Sequence, residues 1–183
     1  MDGIFIVIGI IVLILIIFIG WWIATSNNFK RKKIKIEEAL SGIEVALTNR
    51  FDKLTKLLDV TKGFAKHEQD TFSQVIAMRK GMRVGELNDC CSKMDAMGAH
   101  INAVAEAYPE LRSAEAFKEL QGAIRTAEQH LQASRRLYNS NVTIYNTAIA
   151  VFPSSVVAGA MNLQREEFFV AEEAKKADVQ MKF

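Results

Sequence analysis

Residues 3–24 carry no charged side chain and are mostly Ile, Val, Leu and Phe, and this run restricts the chain more than any other feature. As a helix rising about 1.5 Å per residue it reaches roughly 33 Å, enough for a hydrocarbon core of about 30 Å. A cleaved signal peptide would instead start with basic residues, hold an apolar core of about 7 to 15 residues and end at small residues. Here Asp2 is the one charge before Lys30, and Trp21-Trp22 stands where an interfacial aromatic anchor belongs. The expectation is a retained membrane anchor. Ile4, Phe5, Ile8, Ile11, Leu15, Phe18, Trp21 and Trp22 are the residues expected to form it, with the two tryptophans at its interfacial end.

Directly after this run come Lys30, Arg31, Lys32, Lys33 and Lys35, while the short N-terminal arm has no positive charge. By the positive-inside rule the rest of the chain is cytoplasmic and the N-terminus lies outside. This basic collar also suits anionic lipid, at about 1 kcal/mol per residue, although a topology signal alone explains it equally well. Of the 23 basic and 21 acidic residues, 18 and 20 remain once the collar and Asp2 are set aside. The body is therefore nearly neutral and offers no face for nucleic acid. The chain divides into an arm and anchor, residues 1–29, and one body domain, residues 30–183.

The body reads as helical throughout. Its two prolines, Pro109 and Pro153, each close a long helical pattern. Ile36, Leu40, Ile43, Leu47, Phe51, Leu54 and Leu58 follow an 11-residue repeat, which stays close to a straight helix. Since no proline separates them from the anchor, one continuous helix to about Lys66 is predicted. A second helix starts near His67 and meets Gly81 and Gly85, where a kink or turn is plausible. Its later seam is Leu87, Cys90, Met94, Met97, Ile101, Val104 and Tyr108. A third, N-capped by Ser113, has Phe117, Leu120, Ile124, Ala127, Leu131, Ser134, Tyr138, Val142, Tyr145, Ile149 and Phe152 on its seam. After Pro153, Ser154 or Ser155 caps a shorter fourth helix that includes Phe168 and Phe169, and residues 179–183 form an extended tail. The fold class is all-α: an N-terminal transmembrane helix continuing into an elongated antiparallel bundle of three long helices and a shorter fourth.

Signatures of catalysis are missing. There is no Gly-rich phosphate loop and no nucleophile elbow. His67-Glu68 lacks the second histidine four positions on that a zinc helix needs, because position 71 is Thr. His100 and His130 stand alone, and adjacent Cys90 and Cys91 suit neither a disulfide nor a zinc site. No metal, cofactor or catalytic residue is assigned. Six polar residues near the seams, His67, Glu68, Glu128, Arg135, Asn139 and Asn146, are candidates for a network that fixes helix register; a ligand-binding surface is the other reading. Tyr138-Asn139 and Tyr145-Asn146 echo each other one heptad apart.

Four stretches resemble the LemA proteins. Gly63-Phe64-Ala65-Lys66-His67-Glu68 looks like that family's aromatic-Ala-x-His-Glu motif, and Ala107-Tyr108-Pro109-Glu110-Leu111 is similar to its Tyr-Pro-Asp-Leu element. Glu128, Arg135, Tyr138 and Asn139 match positions of its third helix, and the end from Phe168-Phe169 to Phe183 resembles its ending. The chain departs in lacking the proline usual after the first conserved arginine, here Arg50, and in having Ala127 where threonine is usual. The resemblance implies a helical bundle, a short extracytoplasmic N-terminus and a bacterial inner-membrane protein, and supplies no activity.

The expected function is that of a non-enzymatic, single-pass membrane scaffold that self-associates into a large homo-oligomer and shapes or organises the membrane. Residues 151–163 are apolar beyond the needs of one buried face, so Val156, Val157, Ala160, Met161 and Leu163 are the candidate oligomer interface. The alternative is an accessory subunit that recruits or regulates a membrane protease or signalling partner. Expected partners are membrane lipids, the chain itself and, on the alternative, another membrane protein.

Overall fold

The computed structural model of the chain describes residues 2–62 and 84–169, and among these all regular structure is helical. Helix α1, Asp2–Lys62, runs for 61 residues without a break, carrying the apolar segment straight into the first seam. No proline removes a donor anywhere along it, and Thr48, Thr55 and Thr61 return their hydroxyls to the carbonyls of Glu44, Phe51 and Leu57 four residues back. Its two halves have opposite surroundings. Residues 3–20 are all exposed, whereas Phe29, Ile36, Ile43, Leu47, Phe51, Leu54 and Leu58 are buried.

Helix α2, Val84–Ala107, buries its seam from Leu87 through Cys90, Met94 and Met97 to Ile101. The part of this segment expected to start near His67 lies outside the described residues, as do His67, Glu68 and the tail 179–183. Tyr108 breaks the helix with a non-helical backbone (φ −124°, ψ 87°), and Pro109 then opens the five-residue helix α3, Pro109–Ser113. This corrects the expectation that Pro109 only ends a helix, because a missing N–H costs nothing at a first helical position. Ser113 is consequently not an N-cap. It is the last residue of α3, its hydroxyl donates to the carbonyl of Glu110, and the N–H of Lys118 bonds instead to the carbonyl of Ala114, just before α4, Glu115–Ala150.

Helix α5, Ser154–Ala160, is also shorter than expected and does not reach Phe168 and Phe169. Asn162 takes a left-handed conformation (φ 51°), and the bonds Asn162 N–H to Gly159 O and Leu163 N–H to Ala158 O close a Schellman motif that ends the helix. Nor do Ser154 and Ser155 cap α5 with their side chains; Pro153 occupies that position. The Ser154 hydroxyl faces backwards and donates to the carbonyls of Ala148 and Val151 at the end of α4.

The chain forms two compact units, one of Met1–Glu38 with Ser140–Glu166, the other of Ala39–Asn139 with Glu167–Phe183. In the first, packing extends across residue 29, where the sequence separates anchor from body. In the second, α2 and α4 run antiparallel, as Cys91 meets Arg135 and Asn102 meets Gln121. Contacts between α1 and α2 advance together, with Arg50 on Asp95 and Leu54 beside Gly98. These two helices therefore run the same way, not as the antiparallel neighbours expected. Ile43, Leu54, Leu87, Ile101, Leu111, Phe117 and Leu131 are the most deeply buried apolar residues of the second unit. Replacing Leu131 by alanine is expected to cost about 2 to 5 kcal/mol, read from chemical denaturation in detergent; an unshifted midpoint would exclude the packing described.

Candidate functional site

In the first unit, the end of the apolar run is where α1 gains a partner. Phe29, Val157 and Ala158 form a buried cluster, and Trp21, Trp22, Ala148, Ile149, Met161 and Leu163 pack on it. Phe18 sits 5.7 and 6.1 Å from the rings of Trp21 and Trp22. Of the five residues expected to form an oligomer interface, Val157 is wholly enclosed by the unit's own core, Met161 and Leu163 are half-buried, and only Val156 and Ala160 are open. Phe29 was not singled out from the sequence, although it continues the apolar face seven residues before Ile36.

The basic collar lies one turn further along. Lys30, Arg31 and Lys35 are exposed and Lys32 is half-buried. Arg31, Lys32 and Lys35 line an open cleft of about 190 Å³ with Asn28, Asn141 and Ile144. Lys33 instead pairs with Glu166 at 3.2 Å; the hydrogen bond to that carboxylate and then its charge raise the lysine above its ordinary value. The contribution is complete at neutral pH and fades only as pH climbs past the raised value. It is small, because the lysine is half in solvent.

Two asparagines explain the echo noticed in the sequence. Within the first unit Asn146 donates to the carbonyl of Glu166 at 2.9 Å and accepts from its N–H at 3.0 Å. Within the second, Asn139 does the same to Phe169 at 2.9 and 2.8 Å, and the Tyr138 hydroxyl donates to the carbonyl of Glu167. Each amide thus supplies both bonds that a strand neighbour would supply. The partners are backbone groups, which no side-chain pattern announces.

The second unit contains an ionic cluster that the sequence showed only in part. Arg50 is 7% exposed. Its Nη2 donates to Asp95 at 2.5 Å, and its Nε lies 3.0 Å from Glu128, an ion pair by distance with the N–H out of line for a hydrogen bond. Glu128 also accepts from Gln132. Arg50 could have been found, since it falls three residues after Leu47 and four before Leu54, on the buried face. Nearby Arg135 donates to the sulfur of Cys91 and lies over the Phe169 ring at 4.9 Å. Burial pushes both thiols up, with Arg135 partly opposing this at Cys91, so at neutral pH they are protonated packing groups and not nucleophiles. Among the described residues no group of three His, Cys, Asp or Glu side chains is placed to hold a metal.

The arrangement therefore ties three helices and an extended segment together in the second unit, and in the first it sets basic residues just beyond an apolar helical run long enough to cross a membrane. The model of the LemA family matches residues 39–183. The chain belongs to the LemA family. It is 26% identical to Protein LemA of Metamycoplasma hominis over 168 residues, 89% of this chain and 77% of that protein. It is also 22% identical to the magnetosome protein MamQ of Magnetospirillum gryphiswaldense over 191 aligned positions, 88% of this chain and 70% of that one. The LemA match covers Arg50, Asp95, Glu128, Arg135 and both asparagines, and begins after the basic collar.

Arg50→Ala removes the guanidinium between two carboxylates. Losing one partner of a fully buried pair costs about 3 to 5 kcal/mol. With Asp95 and Glu128 30% and 33% exposed, solvent screening lowers the expected loss to about 2 kcal/mol. Arg50→Met, which keeps the stem, is expected to lose less. Denaturation of both variants in detergent checks this, and an Arg50→Ala midpoint equal to that of the parent would mean the cluster holds nothing together.

Proposed function

We propose that the protein is a non-enzymatic membrane scaffold, anchored by the start of α1 and working by association of many copies, and that through this it organises the membrane holding it. The observation that carries the reading is a surplus apolar face on α4. That helix buries Leu131, Tyr138, Val142 and Tyr145 within the chain, yet leaves Leu137 and Ile144, one heptad apart, exposed. Ile34 and Val45, spaced by the 11-residue repeat of α1, are exposed as well. A second copy of the chain, which carries the same exposed apolar helix faces, is the occupant proposed. The break-free α1 supports the reading, because a helix without a linker transmits the spacing of the bodies to the anchors. Repetition with a fixed rotation then gives a ring or a filament, depending on whether it closes.

The mass of the full chain in mild detergent, together with crosslinking in native membranes, is expected to give a ladder of homo-oligomers. Leu137→Glu with Ile144→Glu is expected to collapse it without lowering the melting temperature, as both side chains already face solvent. A monomer in both settings, or a complex dominated by another chain, would overturn the scaffold, the second outcome in favour of an accessory subunit.

In the same reading the body is cytoplasmic, by the charge asymmetry about α1, and the membrane is a bacterial inner membrane. A cysteine placed at exposed Glu119, with Cys90 and Cys91 changed to alanine, is expected to escape an impermeant thiol reagent in intact cells and to react after lysis. Labelling in intact cells equal to that of an external control would reverse the topology.

A further inference from the structure

The corner between α4 and α5 belongs to the first unit and has an unusual surface. No charged side chain occurs at residues 137–164, and at the corner Val151, Phe152 and Val156 are 52%, 77% and 53% exposed. A phenylalanine that open is costly in water, at about 25 cal/mol per Å² of apolar surface. Several backbone groups here are closed within the chain. Ser154 closes the carbonyls of Ala148 and Val151, the N–H of Ser155 also bonds to Val151, and the Schellman bonds close the end of α5. A chain segment with no charge, exposed apolar side chains and internal partners for several of its terminal carbonyls is suited to the boundary between water and lipid.

Its position points to the same boundary. From Ile4 to Trp22 the helix advances about 27 Å, close to the thickness of the hydrocarbon core. Trp22 to Phe29 adds about 10 Å, the zone of the headgroups. The corner packs on this stretch of α1, through Val157 and Ala158 against Trp21, Trp22 and Phe29. Helix α5 turns 91° from α4, and α4 lies along α1 here, with Asn141 bonded to the carbonyl of Lys35 and Ile149 against the tryptophan cluster. With α1 crossing the bilayer, α5 therefore lies along its surface.

We propose that this corner is a second, interfacial membrane contact, in which Val151, Phe152 and Val156 insert into the leaflet that holds Trp21 and Trp22. The occupant of the apolar patch is lipid because the patch is continuous with the lipid-facing surface of α1, which is exposed over residues 3–20, and because Arg31, Lys32 and Lys35 stand at the headgroup side of it. The contact rests on the reading of α1 as an anchor. It braces α1 at the boundary, so that the body is held against the membrane at two points.

The test is a depth measurement on the full chain in vesicles of phosphatidylethanolamine and phosphatidylglycerol. Spin labels are placed singly on Phe152→Cys, Val156→Cys, Ile11→Cys and Gln129→Cys in a Cys90→Ala, Cys91→Ala background. Collision with oxygen, which concentrates in lipid, is compared with collision with a water-soluble nickel chelate. The expected result is oxygen preference at 152 and 156, weaker than at 11, with nickel preference at 129. Nickel preference at 152 and 156 while 11 stays immersed overturns the corner contact and leaves the anchor standing. Nickel preference at all four removes the anchor and the corner together. Labels at 152 and 156 immobilised and shielded from both reagents would assign the patch to a second copy of the chain and also overturn the proposal.

Discussion

A peptide group has no hydrogen-bond partner in hydrocarbon, so a segment that crosses a bilayer must close every backbone bond within itself. Helix α1 meets that condition over residues 3–20, all of which are exposed, with no help from the rest of the chain. The packing of the later elements depends on the same helix continuing. Because nothing interrupts the helix there, the rotational phase set in the apolar segment carries over to Phe29 and Ile36, which are buried. A flexible joint at residue 29 would uncouple the two. The first unit shows the coupling directly, since the cluster around Phe29 and Val157 includes Trp21 and Trp22 from the end of the apolar run.

The seams were legible because burial in a helix repeats. Six of the seven positions read on α1 are buried and Leu40 is half-buried, and on α2 the series from Leu87 to Ile101 is buried throughout. Their continuation failed at Tyr108 and Phe152, which are 40% and 77% exposed; both precede a proline, where the helix has already ended. Directions were not legible, because the spacing of apolar residues is the same whether neighbouring helices run parallel or antiparallel. It took the pairing of Arg50 with Asp95 and of Leu54 with Gly98 to show that α1 and α2 run the same way.

Helix ends were read less well than helix faces, and for one reason. A serine near a proline reads as an N-cap by residue type, yet Ser113 and Ser154 both spend their hydroxyls on the carbonyls of the helix turn before them. The extended segment after Asn162 was misread as helix because Leu163, Phe168 and Phe169 suggest a helical face. Asn162 in the left-handed region stops the helix, and that depends on backbone bonds made in three dimensions.

The polar residues on the inside answer a problem that the apolar seams leave open. A seam of leucines repeating every seven residues packs almost as well when one helix slides by a heptad, since each knob finds another hole. A guanidinium that must reach Asp95 on α2 and Glu128 on α4 together has no second position at which both carboxylates wait. Asn139 discriminates in a different way, since its amide must meet both the N–H and the carbonyl of one residue, Phe169. Arg50 and Asn139 find these partners within the chain. The surfaces left over are on the outside: the apolar residues of α4, the basic residues after the apolar run, and the corner at Phe152. Among the described residues the ionic cluster and the paired asparagines make their contacts inside the chain, whereas Leu137, Ile144, Phe152 and Val156 stay exposed, so apolar contact is the capacity that the fold leaves unused.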